Sequence, residues 1–152
     1  MLKINRKVEY GLVALQHMLA KPPTQLTSVR EICDTYGTPF DPLAHVMRIL
    51  SAANLVESEQ GAHGGYRLVA DLSRFSVAEF IELIDGQLAL TECMKSEEDC
   101  RCTLIGRCKI VTPMRNFHYH MMGFLRSMSV QELLKEPAAE PLAAPKALSA
   151  SA

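Results

Sequence analysis

The feature that most constrains the fold lies between residues 38 and 70, where the hydrophobic period changes within one run. In "TPFDPLAHVMRILSAANLV", Leu43, Val46, Met47 and Leu50 recur three, one and three residues apart, which lines one face of a helix. Thr38-Pro39 and Asp41-Pro42 each offer a cap followed by Pro at the first helical position. The next residues, "LVESEQGAHGGYRLVA", abandon that spacing. Leu55-Val56 starts a strand, Gly61 to Gly65 make a turn, and Tyr66, Leu68 and Val69 suit a return strand. Upstream, "LTSVREICDTYG" reads as a short helix. Thr27 or Ser28 caps it, Glu31 completes a capping box with Ser28, and Gly37 ends it. Two short helices joined by a tight turn form a helix-turn-helix, and the hairpin behind the second is a wing. The expected class is mainly α with a small β-hairpin wing.

The flanking segments fit that frame. Asn5 caps a first helix whose Val8, Leu12, Leu15 and Leu19 form one apolar stripe, and "KPPT" stops it. "SVAEFIELIDG" is a further helix with Ser76 and Glu79 as its capping box and Gly86 as its stop. Pro113 opens a longer helix on which Met114, Phe117, Met121, Phe124 and Met128 make a heptad seam, a pattern that seeks a partner helix. Ser129 caps a last short helix. From residue 136 the Ala-, Pro- and Ser-rich text reads as a disordered tail. The chain thus divides into a winged helix-turn-helix over 1–88, a cysteine-rich loop over 89–112, a dimerisation helix and short C-terminal helix over 113–135, and a tail over 136–152.

Charge and targeting signals narrow the class. The 152 residues carry a formal net charge of -1, so any basic surface for nucleic acid is local. Lys3, Arg6, Lys7 and Glu9 stand where a signal peptide needs its apolar block. No uncharged run approaches the roughly 18–20 residues that cross a bilayer. The cytoplasm is the expected compartment, with no membrane partner. There, clustered cysteines mean metal or redox chemistry more often than structural disulfides.

Four of the five cysteines, Cys93, Cys100, Cys102 and Cys108, fall within sixteen positions. Polar residues, charges and one Gly separate them, which describes a loop. Thiolates on such a loop suit an iron–sulfur cage, because soft sulfur matches iron. They also suit a structural zinc or reversible disulfides, and an inert loop is the fourth option. Cys33 stands alone on the second helix, where a single Cys is usually a small buried hydrophobe. His118 and His120, two apart on a helix, face different sides. No nucleophile–base pair, phosphate loop or Cys-x-x-Cys motif points to an enzyme.

Over about residues 1–135 the chain resembles the Rrf2 family of bacterial winged-helix regulators. The carriers are "KVEYGLVAL", "PFDPLAHVMRILSAANLVESEQGAHGGYRL", "SVAEFIELIDGQLALTEC", and the cysteine cluster before a long helix. The resemblance implies a homodimeric regulator, a repressor by family habit, bound to a palindromic site on double-stranded DNA. The recognition helix enters the major groove and the wing reaches the minor groove. In several members an iron–sulfur cluster, 2Fe–2S or 4Fe–4S, sets DNA affinity.

The family pattern also suggests ligands. Relatives commonly have five residues between the second and third cysteines and a Leu two after the second. "CTLIGRC" reproduces this and points to Cys93, Cys102 and Cys108. Cys100 departs from the pattern, and gives an alternative triad with Cys93 and Cys108 or a fourth thiolate. Some members supply a His three residues after the last cysteine, but here that position is Val111. Others use a carboxylate on the first helix, where Glu9 stands. The helix dipole alone also favours an acid there.

For DNA, the first seventy residues hold seven cations against six acids, so contacts are few and local. Lys3, Arg6 and Lys7 on the arm, Ser28 at a helix N-terminus, and the wing backbone at Gly64, Gly65 and Tyr66 are phosphate candidates. Thr38, Pro39, Phe40, Asp41, His45 and Arg48 face base edges. Phe40 closing the core and Arg48 pairing with an acid are the plain alternatives. His63 and Arg67 suit a narrow minor groove. The competing functions are a thiol-switch or zinc-stabilised regulator, and a winged-helix protein adaptor that binds no DNA.

Overall fold

Asn5 starts the first helix as its side-chain chemistry predicts, accepting the Lys7 backbone N–H at 3.0 Å. Helix α1 spans Arg6–Leu19 in the computed structural model, which describes residues 4–61, 64–95, 100–104 and 106–135. The buried face of α1 is not the expected stripe. It runs through Val8, Gly11, Ala14, Leu15 and Met18, while Leu12 is half-buried and Leu19 is exposed. Gly11 is the reason. A Cβ there would stand 2.9 Å from both Phe80 Cζ and Ile84 Cδ1, so a missing side chain lets the helices meet. An absence of this kind leaves no mark in a hydrophobic pattern.

Helix α2, Val29–Tyr36, has Ser28 as its N-cap and Gly37 in the left-handed region at φ 67° as its C-cap. Ser28 Oγ accepts the Glu31 backbone N–H at 3.1 Å. The expected capping box is not closed. The Glu31 carboxylate turns to the end of α1 instead, where Lys21, just past the helix, donates to it and His17 Nε2 lies 3.0 Å away. Bonding to a cation is stronger than bonding to a neutral N–H. Lys21 first, and His17 after it, hold the Glu31 carboxyl below the usual carboxylate range against the effect of burial. This network ties α1 to the first helix of the helix-turn-helix.

Helix α3, Phe40–Ala52, begins with Pro39 as N-cap. Neither expected start is realised as such, since Pro42 falls at the third helical position. Proline is tolerated there because first-turn N–H groups have no intrahelical acceptor. Leu43, Val46, Met47 and Leu50 are fully buried, as their spacing predicts.

Strands β1, Val56–Glu59, and β2, Gly65–Leu68, pair antiparallel, with Val56 opposite Leu68 and Glu57 opposite Arg67. A second contact anchors the wing. Thr27 N–H donates to Tyr66 O and Tyr66 N–H to Thr27 O, both at 2.8 Å. The two glycines before Tyr66 serve these close approaches. A Cβ at Gly64 would lie 2.4 Å from the Glu59 carbonyl oxygen, and one at Gly65 would lie 2.8 Å from that of Thr27. We expect Gly65→Ala to cost about 1–3 kcal/mol, the usual range for overpacking. Hydrogen exchange at the Thr27 and Tyr66 amides is the check, and unchanged protection would refute the account.

Helix α4, Val77–Asp85, carries the predicted Ser76–Glu79 capping box, and Gly86 at φ 82° follows it. Helix α5, Val111–Ser127, starts two residues before Pro113. Helix α6, Val130–Leu134, is capped by Ser129 in a second capping box with Glu132. Val77 N–H donates to Met128 O at 2.9 Å and Val130 N–H to Phe75 O at 2.8 Å. These bonds fold α6 back onto α4. Val130 is fully buried in the same core as Val8, Leu15, Leu43, Leu50 and Phe80. Among the described residues no helix is long and apolar enough to cross a membrane.

Candidate DNA interface and cysteine stretch

Helix α3 buries one face and leaves the other bare. Pro39, Phe40, Asp41, His45 and Arg48 are all exposed. Phe40 is 50% exposed at the helix start, so it does not close the core. No acid lies within ion-pair distance of Arg48 among the described residues. Thr38 differs from its neighbours. It is half-buried, and its Oγ1 is buried with no hydrogen-bond partner among the described residues.

The phosphate candidates fall into three groups. Ser28 uses its oxygen lone pair on the Glu31 N–H, which leaves its hydroxyl hydrogen for an acceptor. Arg6 is exposed and pairs loosely with Glu9 at 3.8 Å. Gly64, Gly65 and Tyr66 have structural duties in the wing, and Tyr66 packs half-buried against the core. Lys3 and His63 lie outside the described residues.

Arg67, a minor-groove candidate, is paired with two acids of the facing strand. Its Nε and Nη2 donate to Glu57 Oε2 at 3.0 and 2.7 Å, and Nη1 lies 3.1 Å from Glu59 Oε1. These carboxylates raise the Arg67 pKa, Glu57 most of all. Sequence reasoning missed both acids. The signal was present in the hairpin register, because acids two apart on one strand share a face with the residue opposite.

The described residues of the cysteine stretch have little regular structure. Cys93 lies in a 3-10 turn, Glu92–Met94, which packs against α5, and its Sγ lies 3.1 Å from Thr91 Oγ1. Cys100, Cys102 and Cys108 follow outside any helix or strand. All four thiols are free and half-exposed, as is Cys33, which packs at the edge of the core. Among the described residues, no three Cys, His, Asp or Glu side chains lie close enough to share one metal ion. The donors fit an iron–sulfur cluster in type and number, four soft thiols on adaptable backbone. Glu9, exposed on the first turn of α1, faces Arg6. His118 is half-buried and His120 exposed on α5.

Among the described residues nothing covers the outer aromatic side chains of α5. Phe117 and Phe124 are 56% and 60% exposed, whereas Met122 is buried against the chain's own fold. The predicted seam residues Met114 and Met121 are half-buried, and Met128 falls just past the helix end.

Comparisons with known proteins fit this architecture. The family model described as Rrf2, iron-dependent transcriptional regulator, matches residues 4–136. The HTH-type transcriptional regulator BadM of Rhodopseudomonas palustris is 31% identical over 136 residues, covering 88% of this chain and 82% of that protein. The HTH-type transcriptional regulator NsrR of Shouchella clausii is 23% identical over 133 residues, covering 88% and 89%. The solved structure of CymR, described as the global cysteine regulator of B. subtilis, superposes with a TM-score of 0.65 at 25% identity, covering 88% of this chain and 97% of that one. These relatives are regulators and not enzymes. The winged helix-turn-helix, its bare α3 face and a family match across almost the whole chain lead to one conclusion: this chain belongs to the Rrf2 family of transcriptional regulators.

Proposed function

We propose that the protein is a homodimeric repressor whose grip on a palindromic DNA site depends on an iron–sulfur cluster held by Cys93, Cys102 and Cys108. The observation that carries this reading is the placement of four free thiols between α4 and α5, with the bare α3 face on the same small fold. Cys100 is a reserve or fourth ligand, and Glu9 is a candidate carboxylate ligand. A bound cluster supplies a redox- and ligand-sensitive iron centre. The chain does the rest. A ligand held by Cys93 would act on the turn at Glu92–Met94, which packs against α5, the proposed dimer helix. Spacing between the two α3 helices then sets affinity for the two half-sites. Base edges meet Phe40, His45 and Arg48, with Thr38 and Pro39 at the helix start, while Arg6, Ser28 and the wing backbone meet phosphate.

Anaerobic purification with iron, sulfide and zinc analysis tests the cofactor. Matched iron and sulfide support the cluster, and one zinc per chain with no sulfide would replace it by a structural clasp. A second reading is a thiol switch. It is supported by the free, half-exposed thiols and by the likeness to a global cysteine regulator. Protein that stays metal-free after reconstitution but forms a reversible disulfide would establish it.

The dimer has its own test. Helix α5 is about 25 Å long at 1.5 Å per residue, and its exposed Phe117 and Phe124 offer the anchors of a helix–helix seam. Phe117→Glu with Phe124→Glu is expected to yield monomers in sedimentation while helix content by circular dichroism stays constant. A variant that remains dimeric would place the interface elsewhere.

A further inference from the structure

We propose that Glu57 and Glu59 are positioning residues that hold Arg67 away from DNA, lowering the wing's affinity for duplex that lacks the recognised sequence. This rests on the DNA-binding reading above. Glu57 faces Arg67 directly across the hairpin and Glu59 lies two residues further on the same face. All three guanidinium nitrogens are engaged, Nε and Nη2 by Glu57 and Nη1 by Glu59. A guanidinium grips a phosphate through the same fork of donors. The two carboxylates therefore take the Nε–Nη2 fork and sit against Nη1, leaving a DNA phosphate only the remaining Nη hydrogens of the five donors.

The charge on this face points the same way. The Glu57 and Glu59 side chains are 54% and 47% exposed, and two acids against one cation leave the described wing face negative. Such a face weakens the counterion-driven attraction that dominates non-specific binding. The wing does not depend on these ion pairs for its shape. Its ladder, the paired bonds to Thr27 and the close glycine contacts set the backbone, and exposed ion pairs contribute little to stability. The consequence of the clamp is electrostatic. Genomic duplex outnumbers operators enormously, so a regulator gains discrimination by lowering non-specific affinity. A narrow minor groove, with phosphates on both sides, has the stronger field that draws Arg67 out.

The test measures binding of a random-sequence DNA duplex by fluorescence anisotropy over a salt series. Three proteins are compared: wild type, E57Q/E59Q, and E57Q/E59Q/R67A. Glutamine keeps the size, removes the charge and replaces one acceptor oxygen by a donor NH2, so the fork to Arg67 is lost. The double variant should bind on the order of tenfold tighter, as expected for one added charge-assisted contact. Its plot of log affinity against log salt should be steeper by about one. Adding Arg67→Ala should abolish both gains. A double variant no tighter than wild type overturns the proposal, as does a gain that survives Arg67→Ala, since charge removal alone would then explain it. Failure of all three proteins to bind duplex at low salt overturns the DNA-binding reading and this one with it. A wild type that binds alongside an unimproved double variant overturns this one alone.

Discussion

Cys93→Ala, Cys102→Ala and Cys108→Ala are each expected to abolish bound iron and sulfide while leaving a folded dimer. The two halves of that outcome have separate causes. A thiolate removed from a set of three cannot be replaced by water without losing the cage's charge and softness match. The fold is indifferent because none of the three belongs to the core. All are half-exposed, and Cys102 and Cys108 lie outside any helix or strand. Compared with cluster-free wild type, stability should move by no more than about 0.5 kcal/mol, the usual range for surface changes. Cys100→Ala is the discriminating control and should lose little or no iron. Full iron and sulfide in any one of the first three variants would remove that residue from the site. Loss on Cys100→Ala with retention on Cys102→Ala would exchange their roles.

Phe80→Ala is expected to produce the largest stability loss. Phe80 is fully buried, and its ring tip reaches the spot where a Cβ on Gly11 would be, 2.9 Å away. It therefore fills the junction of α1 and α4 that the absent Gly11 side chain creates. Truncating a buried Phe costs about 3–5 kcal/mol, a large share of the roughly 5–15 kcal/mol that hold a domain folded. With a urea dependence near 2 kcal/mol per molar, typical of small proteins, the unfolding midpoint should drop by about 2 M. A loss below about 1 kcal/mol, far under the range for such truncations, would show that the junction refills. DNA binding should fall in parallel with the folded fraction, because α3 rests on α1 through Val46.

Local signals were read well from the sequence where the physics is local. The Asn5, Ser76 and Ser129 caps, Gly37 and Gly86 as stops, the α3 core stripe and the wing hairpin all stand as expected. Each depends on residues within one turn or one hairpin of each other. The misses share a different cause. Glu31 left its capping box because Lys21 and His17, ten and fourteen residues away, offered charged partners. Arg67 is held by two acids from the facing strand. The buried face of α1 turned because Gly11 opens a contact with residues some seventy positions later.

The order of helices and wing, the clustering of four cysteines between α4 and α5, and an apolar seam on the long helix all follow from local sequence chemistry. Capping chemistry and hydrophobic period act over a few residues and are written in the chain. Only the tertiary structure decided which charges are free. Among the described residues it leaves the α3 face open and closes Arg67 between two carboxylates. Charge pairing and ligand assembly depend on through-space distance, which linear spacing does not specify.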